Sequence, residues 1–146
     1  MTLSANNASD RARQILGLTE RLGTRLASET AALEAHRPQD IHASIEETRQ
    51  LSNLYRMETA RLKADPTLLS GLSDDMKSQL RTATETFMAI AKRHSIAVEA
   101  ARTVTEGILH TIATDISERK AQGASYGPGA RQVYRDPTSL NLTHRA

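Results

Sequence analysis

The sequence predicts an all-α protein: a three-helix, antiparallel, coiled-coil-like bundle with a long third helix and a flexible C-terminal tail. Three observations carry that expectation. Glycine and proline fall at a few punctuation points, with no proline and a single glycine, Gly107, between Leu72 and Gln122. Between those points apolar residues recur at spacings of three and four, the period of one helix face. Strand formers are scarce: Val98, Val104 and Val133 are the only valines, and no stretch alternates apolar with polar residues.

The 146 residues suit one domain, expected as a helical bundle over 1–122 and a tail over 123–146. The first helix is expected at about 9–36. Ser9 is its candidate N-cap, with Asp10 in the first turn. Ile15, Leu18, Leu22, Leu26 and Leu33 share one face, with Thr30 filling the gap, while Gly17 and Gly23 each weaken the helix by about 1 kcal/mol relative to alanine. Arg37-Pro38 ends it. The second helix is expected at about 38–64, with Pro38 in its first turn and a stripe of Ile41, Ile45, Thr48, Leu51, Tyr55 and Leu62. The short connection makes the two helices antiparallel neighbours. Asp65-Pro66 reads as a cap followed by one turn that ends at Gly71, and Ser73 caps the third helix.

The third helix, expected at about 73–120, has the strongest pattern. Leu80, Phe87, His94, Ala101 and Ile108 recur every seven residues. Met76, Ala83, Ile90, Ala97 and Val104 do the same, offset by three or four. This is an a/d seam held for more than four heptads. Beyond Ile108 it steps to Ile112 and Ile116, a stutter. At 1.5 Å per residue the helix is roughly 70 Å long. Two shorter helices pair with only part of such a rod, so some seam is left for a partner.

Composition narrows the function. The four aromatic residues, Tyr55, Phe87, Tyr126 and Tyr134, and an apolar content rich in Ala, Leu and Ile give little with which to wall a catalytic pocket. A non-enzymatic, protein-binding role is expected, with no cofactor. The absence of cysteine removes a disulfide scaffold, a thiol nucleophile and a thiolate metal site. The polar first residues argue against a secretory signal, and no apolar run approaches the ~20 residues of a membrane span; a cytoplasmic protein without membrane insertion is expected. Residues 1–120 carry 16 Lys+Arg and 16 Asp+Glu, while the tail adds Arg131, Arg135 and Arg145 against Asp136. Three scattered arginines are a poor nucleic-acid footprint.

The candidate chemical groups have plain structural roles. His94 lies on the seam, and Ser95-Ile96-Ala97-Val98 after it lacks the glycine of a phosphotransfer site. No histidine has glutamate three positions before it, and Glu106 with His110 is one i,i+4 pair, far short of a metal site. There is no Gly-x-Ser-x-Gly elbow and no phosphate-binding loop. Gly127-Pro128-Gly129 reads as a turn, and Asp65, Asp74 and Asp75 as helix caps. Tyr126 stands apart: an aromatic in a Gly/Pro-flanked segment is a candidate anchor for a partner protein.

Three segments resemble the FlgN-type flagellar export chaperones. The first helix ends in Glu29, Ala32, Leu33 and Glu34 before a proline break. The second contains Ile45-Glu46-Glu47-Thr48-Arg49-Gln50-Leu51. Ser125-Tyr126-Gly127-Pro128-Gly129 is similar to the tyrosine-glycine turn after that family's third helix. The resemblance implies a cytoplasmic chaperone that binds the C-terminal helical region of hook–filament junction proteins and delivers them to the flagellar type III secretion machinery. It implies that Tyr126, with Gly127 and Gly129, docks on the export gate. The candidate client surface is Ala101, Val104, Ile108, Ile112 and Ile116, an apolar helix face able to cover another. The sequence also fits a different class, a structural coiled-coil protein that dimerises through its third helix and has no client.

Overall fold

Asn7, two residues before Ser9, caps the first helix: its side-chain oxygen accepts from the Asp10 N–H at 2.8 Å. In the computed structural model, which describes residues 3–123, α1 spans Ala8–Glu34. It buries Ile15, Leu18, Leu22, Leu26 and Thr30, the face its spacing predicts. It also buries Arg11 and Glu29, two charges on the same stripe.

The helix ends in a Schellman arrangement. The Arg37 N–H donates to Ala32 O at 2.9 Å and the His36 N–H to Leu33 O at 3.0 Å. His36 holds the left-handed position, φ 56°, that glycine normally fills.

The second helix does not start at Pro38. Pro38–Ile41 forms a separate 3₁₀ turn, and α2 spans Ile45–Ala64. The prolyl residue fits the first position of the short turn, but the chain needs a second bend at His42–Ser44 before it can return along α1. Ile45, expected on the buried stripe, is consequently in the first turn of α2 and is exposed. Thr48 and Leu51 are buried as expected, and Glu58 is buried with them.

Asp65 caps a second 3₁₀ turn, Pro66–Leu69, by accepting from the Thr67 N–H at 3.1 Å. Gly71 then takes φ +75°, which only glycine adopts freely. Ser73 Oγ accepts from the Met76 N–H, and α3 runs unbroken over Asp74–Gly123. Among the described residues there is no strand.

The described chain divides into two units, the first ending at Glu106 and the second beginning at Gly107. In the first, Leu18, Leu22, Leu26 and Leu51 form the core, with Leu3, Leu54, Tyr55, Phe87, Ile90 and Ala91 packed against it. Arg11 pairs with Glu58, and Glu29 with Thr48, which makes α1 and α2 antiparallel. Gly23 lies against Ile90 and Thr30 against His94, so this part of α3 runs parallel to α1. In the second unit the described residues are the last turns of α3 alone.

Candidate protein-binding surface

The seam of α3 changes character along its length. Met76, Leu80, Ala83, Phe87, Ile90, His94 and Ala101 are half-buried and Ala97 is buried. The Phe87 ring sits 4.7 Å from that of Tyr55, tilted by 47°. From Val104 onward the pattern continues but burial stops. Val104, Ile108, Leu109, Ile112 and Ile116 are between 49% and 61% exposed. Ile108, Ile112 and Ile116, in the second unit, follow one another at four-residue spacing on one side of the helix, with the i,i+4 ion pair Asp115–Arg119 on the same turns; Val104 and the pair Arg102–Glu106 belong to the first unit.

Of the five expected client-binding residues, four are exposed and Ala101 is half-buried. Leu109 belongs with them. It lies one residue from the a/d seam and was not singled out by the seven-residue period. Tyr126, Gly127 and Gly129, and the tail that contains them, lie outside the described residues.

A second apolar feature lies within the first unit. A groove of about 710 Å³ runs between α1 and α3, with Gly23, Ala27 and Ala83 on its walls and Phe87 and Ile90 among its lining. Thr19 and Thr24 return their hydroxyls to the carbonyls of Ile15 and Glu20, which leaves them little capacity to hydrogen-bond a ligand.

Polar contacts tie the three helices together. Glu29 is 6% exposed; its Oε1 accepts from Thr48 Oγ1 at 2.6 Å and from Ser44 Oγ at 3.3 Å. His94 brings Nε2 to 3.9 Å from Glu29 Oε2, and its Nδ1 lies 3.2 Å from Thr30 Oγ1. Arg11 reaches Glu58 Oε2 at 3.3 Å, while the Leu3 N–H donates to Glu58 Oε1 at 2.9 Å. At the surface Arg25 and Arg21 pair with Glu47. Arg93 Nε donates to Glu34 at 2.9 Å; that hydrogen bond holds the Glu34 carboxyl below the usual carboxylate range and raises Arg93. Burial pushes the Tyr55 phenol up.

Glu29 and Ser44 line a small cavity of about 220 Å³ together with Arg37 and Asp40, and Arg21, Arg25 and Glu47 line another of about 380 Å³. Glu106 pairs with Arg102, which gives it a role that does not involve His110. Among the described residues no three His, Cys, Asp or Glu side chains cluster to hold a metal ion. No helix among them is long and apolar enough to cross a membrane. The described residues carry two apolar surface features: a half-exposed aliphatic stripe and a groove between parallel helices.

Comparison with known proteins gives one strong likeness. The flagellar basal-body protein FlbY of Caulobacter vibrioides (strain ATCC 19089 / CIP 103742 / CB 15) is 42% identical over 130 residues, which cover 88% of this chain and 87% of that protein. No family model matches the chain. No solved structure matches it either.

Proposed function

The chain belongs to the family of the flagellar basal-body protein FlbY, and from that premise we propose that it is an export chaperone of the flagellum, acting by binding rather than by catalysis. The observation that carries the reading is the stripe of half-exposed aliphatic side chains at Val104, Ile108, Ile112 and Ile116. Large apolar residues repeated along one helix side favour an amphipathic helix laid against them. Fully burying such a side chain is worth about 1.5–3 kcal/mol, so covering the remaining half of each yields about 1 kcal/mol apiece. The client is the C-terminal helical region of a hook–filament junction protein, held in the cytoplasm on Ala101, Val104, Ile108, Ile112 and Ile116. Tyr126, with Gly127 and Gly129, is the docking element for the export gate of the flagellar type III machinery.

Titration of the chain with such a C-terminal region tests the client site. Ile108→Ser with Ile112→Ser should weaken binding at least about tenfold, the equivalent of 1.4 kcal/mol, and leave the melting temperature unchanged. Unaltered affinity, or a melting temperature that drops with the substitution, removes these residues from a client site. For the gate, Tyr126→Ala should preserve client binding and reduce the affinity of the chaperone–client complex for the isolated gate domain by about 1–3 kcal/mol. The same stripe supports a second reading, a structural homodimer joined through α3. A solution mass of twice the chain that does not change when client is added favours that reading.

A further inference from the structure

We propose that His94 and Glu29 form the pin that sets the register of α3 against the α1–α2 hairpin. The need for a pin follows from the seam itself. Leu80, Phe87, Ala101 and the offset series Met76, Ala83, Ile90, Ala97 place an apolar residue at every seam position except one. A slide of seven residues, about 10 Å along the helix axis, therefore sets apolar residues back on apolar positions. The connection does not forbid it. Nine residues separate the end of α2 at Ala64 from the start of α3 at Asp74, and nine extended residues reach about 30 Å.

His94 is the exception, the single polar residue in the repeat. The hairpin presents one matching place for it. Thr30 Oγ1 lies 2.7 Å from Leu26 O, so its hydrogen is committed there and its lone pairs face outward. His94 Nδ1 then approaches Thr30 Oγ1 as the donor, at 3.2 Å. This sets Nε2 3.9 Å from the carboxylate of Glu29, an ion pair when the imidazole carries a proton on both nitrogens, and the other oxygen of Glu29 is held by Thr48 and Ser44 of the returning chain. All three helices meet at this layer. In a register slipped by seven residues a phenylalanine or an alanine faces Glu29, and His94 takes the place of Phe87 beside Tyr55 or of the half-exposed Ala101, away from both Thr30 and Glu29. A lone polar residue on a heptad seam fixes register by this penalty on its alternatives.

The chain has no cysteine, so introduced pairs report register cleanly. Gly23 lies beside Ile90, a Cβ built on it falling 3.5 Å from Ile90 Cδ1. Gly23→Cys with Ile90→Cys should cross-link efficiently with a short bis-maleimide, while Gly23→Cys with Ala83→Cys or Ala97→Cys should not. Moving the pin should move the helix. In Phe87→His/His94→Phe the efficient partner of the thiol introduced by Gly23→Cys should shift from position 90 to position 83. In Glu29→Leu/Thr48→Val/His94→Leu, which leaves no buried charge at this layer, cross-links at 83, 90 and 97 should coexist in a chain that remains helical by circular dichroism. A cross-link that stays at position 90 alone in the folded triple variant overturns the proposal and assigns register to side-chain sizes along the seam. If the exchanged chain does not fold, the triple variant decides.

Discussion

From Met76 to Ala101 the seam positions of α3 are half-buried or buried, whereas from Val104 to Ile116 a continuing pattern leaves the large aliphatic side chains about half exposed. The sequence distinguishes the two stretches only weakly, through the step from Ile108 to Ile112 and Ile116. Periodicity identifies which side of a helix is apolar; it does not identify what covers that side. In the first stretch the Phe87 ring has Tyr55 as its neighbour and the leucines of α1 beneath it. From Gly107 onward, the described residues of the second unit contain no other element.

The same substitution in the two stretches gives the largest expected contrast. Phe87→Asp places a carboxylate against Tyr55 and the leucine core with no cation to pair it, and should destabilise the fold by more than about 4 kcal/mol. Ile112→Asp places the carboxylate at the surface and should change stability by no more than about 0.5 kcal/mol. Urea denaturation of both variants is the measurement. Comparable losses would mean that the second stretch is covered in the isolated protein, and the contrast between the halves of α3 would collapse.

The buried ion pair at the open end of the hairpin ranks next. Glu58 is 2% exposed and is held by the Arg11 guanidinium and the Leu3 N–H. Glu58→Ala leaves Arg11 buried without a partner and should cost about 3 kcal/mol. Arg11→Met with Glu58→Leu removes both charges and should recover most of that loss. A double variant as unstable as the single one would show that the pair itself, rather than an orphaned charge, carries the stability.

These two charges also show what the sequence made legible and what it did not. The apolar stripe of α1 and the seam of α3 were readable because Leu, Ile and Thr at three- and four-residue spacing leave one reading. Arg11 and Glu58 were not, because a charged side chain is ordinarily counted as surface. A signal was present: Glu58 stands seven residues after Leu51, on the second helix's stripe, and Arg11 stands seven before Leu18. Two charges of opposite sign on facing stripes are a pair before they are exceptions. Glu29 was obscured in a similar way, since Thr30 beside it satisfied the period. Ile45 was misplaced for a different reason. Its spacing from Ile41 and Thr48 is helical, but the chain bends twice between Pro38 and Ser44, and spacing counted across a bend has no meaning. At the candidate site, Val104, Ile108, Ile112 and Ile116 were legible as one apolar side; Leu109, off the heptad, was not.

Gly23 offers a smaller test on the packed half. Glycine inside a helix costs about 1 kcal/mol relative to alanine, and the Cβ of an alanine here would meet Ile90 at 3.5 Å and Phe87 at 3.8 Å, ordinary contact distances. Gly23→Ala should therefore raise stability by about 0.5–1 kcal/mol. A loss would indicate that α3 needs a closer approach to α1 than these distances show, and that the glycine is there for packing.

The smallest effect expected concerns Glu34 and Arg93, an exposed pair joining the last turn of α1 to the packed half of α3. The hydrogen bond from Arg93 depresses the Glu34 carboxyl below its ordinary value of 4.5. A depressed carboxyl stabilises the folded state fully above that ordinary value, and the contribution fades as pH falls through the lowered folded value. Glu46 is depressed as well, by Arg49 and Gln50, but those partners lie three and four residues away on the same helix and survive wherever that helix survives. Glu34 and Arg93 are far apart in sequence, and their contact exists only while α3 lies against α1. Glu34→Gln should therefore flatten the fall of stability with pH below about 4.5, whereas Glu46→Gln should flatten it less. Because both side chains of the Glu34 pair are exposed, added salt should shrink the difference. Equal pH profiles for Glu34→Gln and the parent at low ionic strength would mean that the pair forms without favouring the folded state, and that the apolar seam and the Glu29 layer alone hold the packed half of α3 in place.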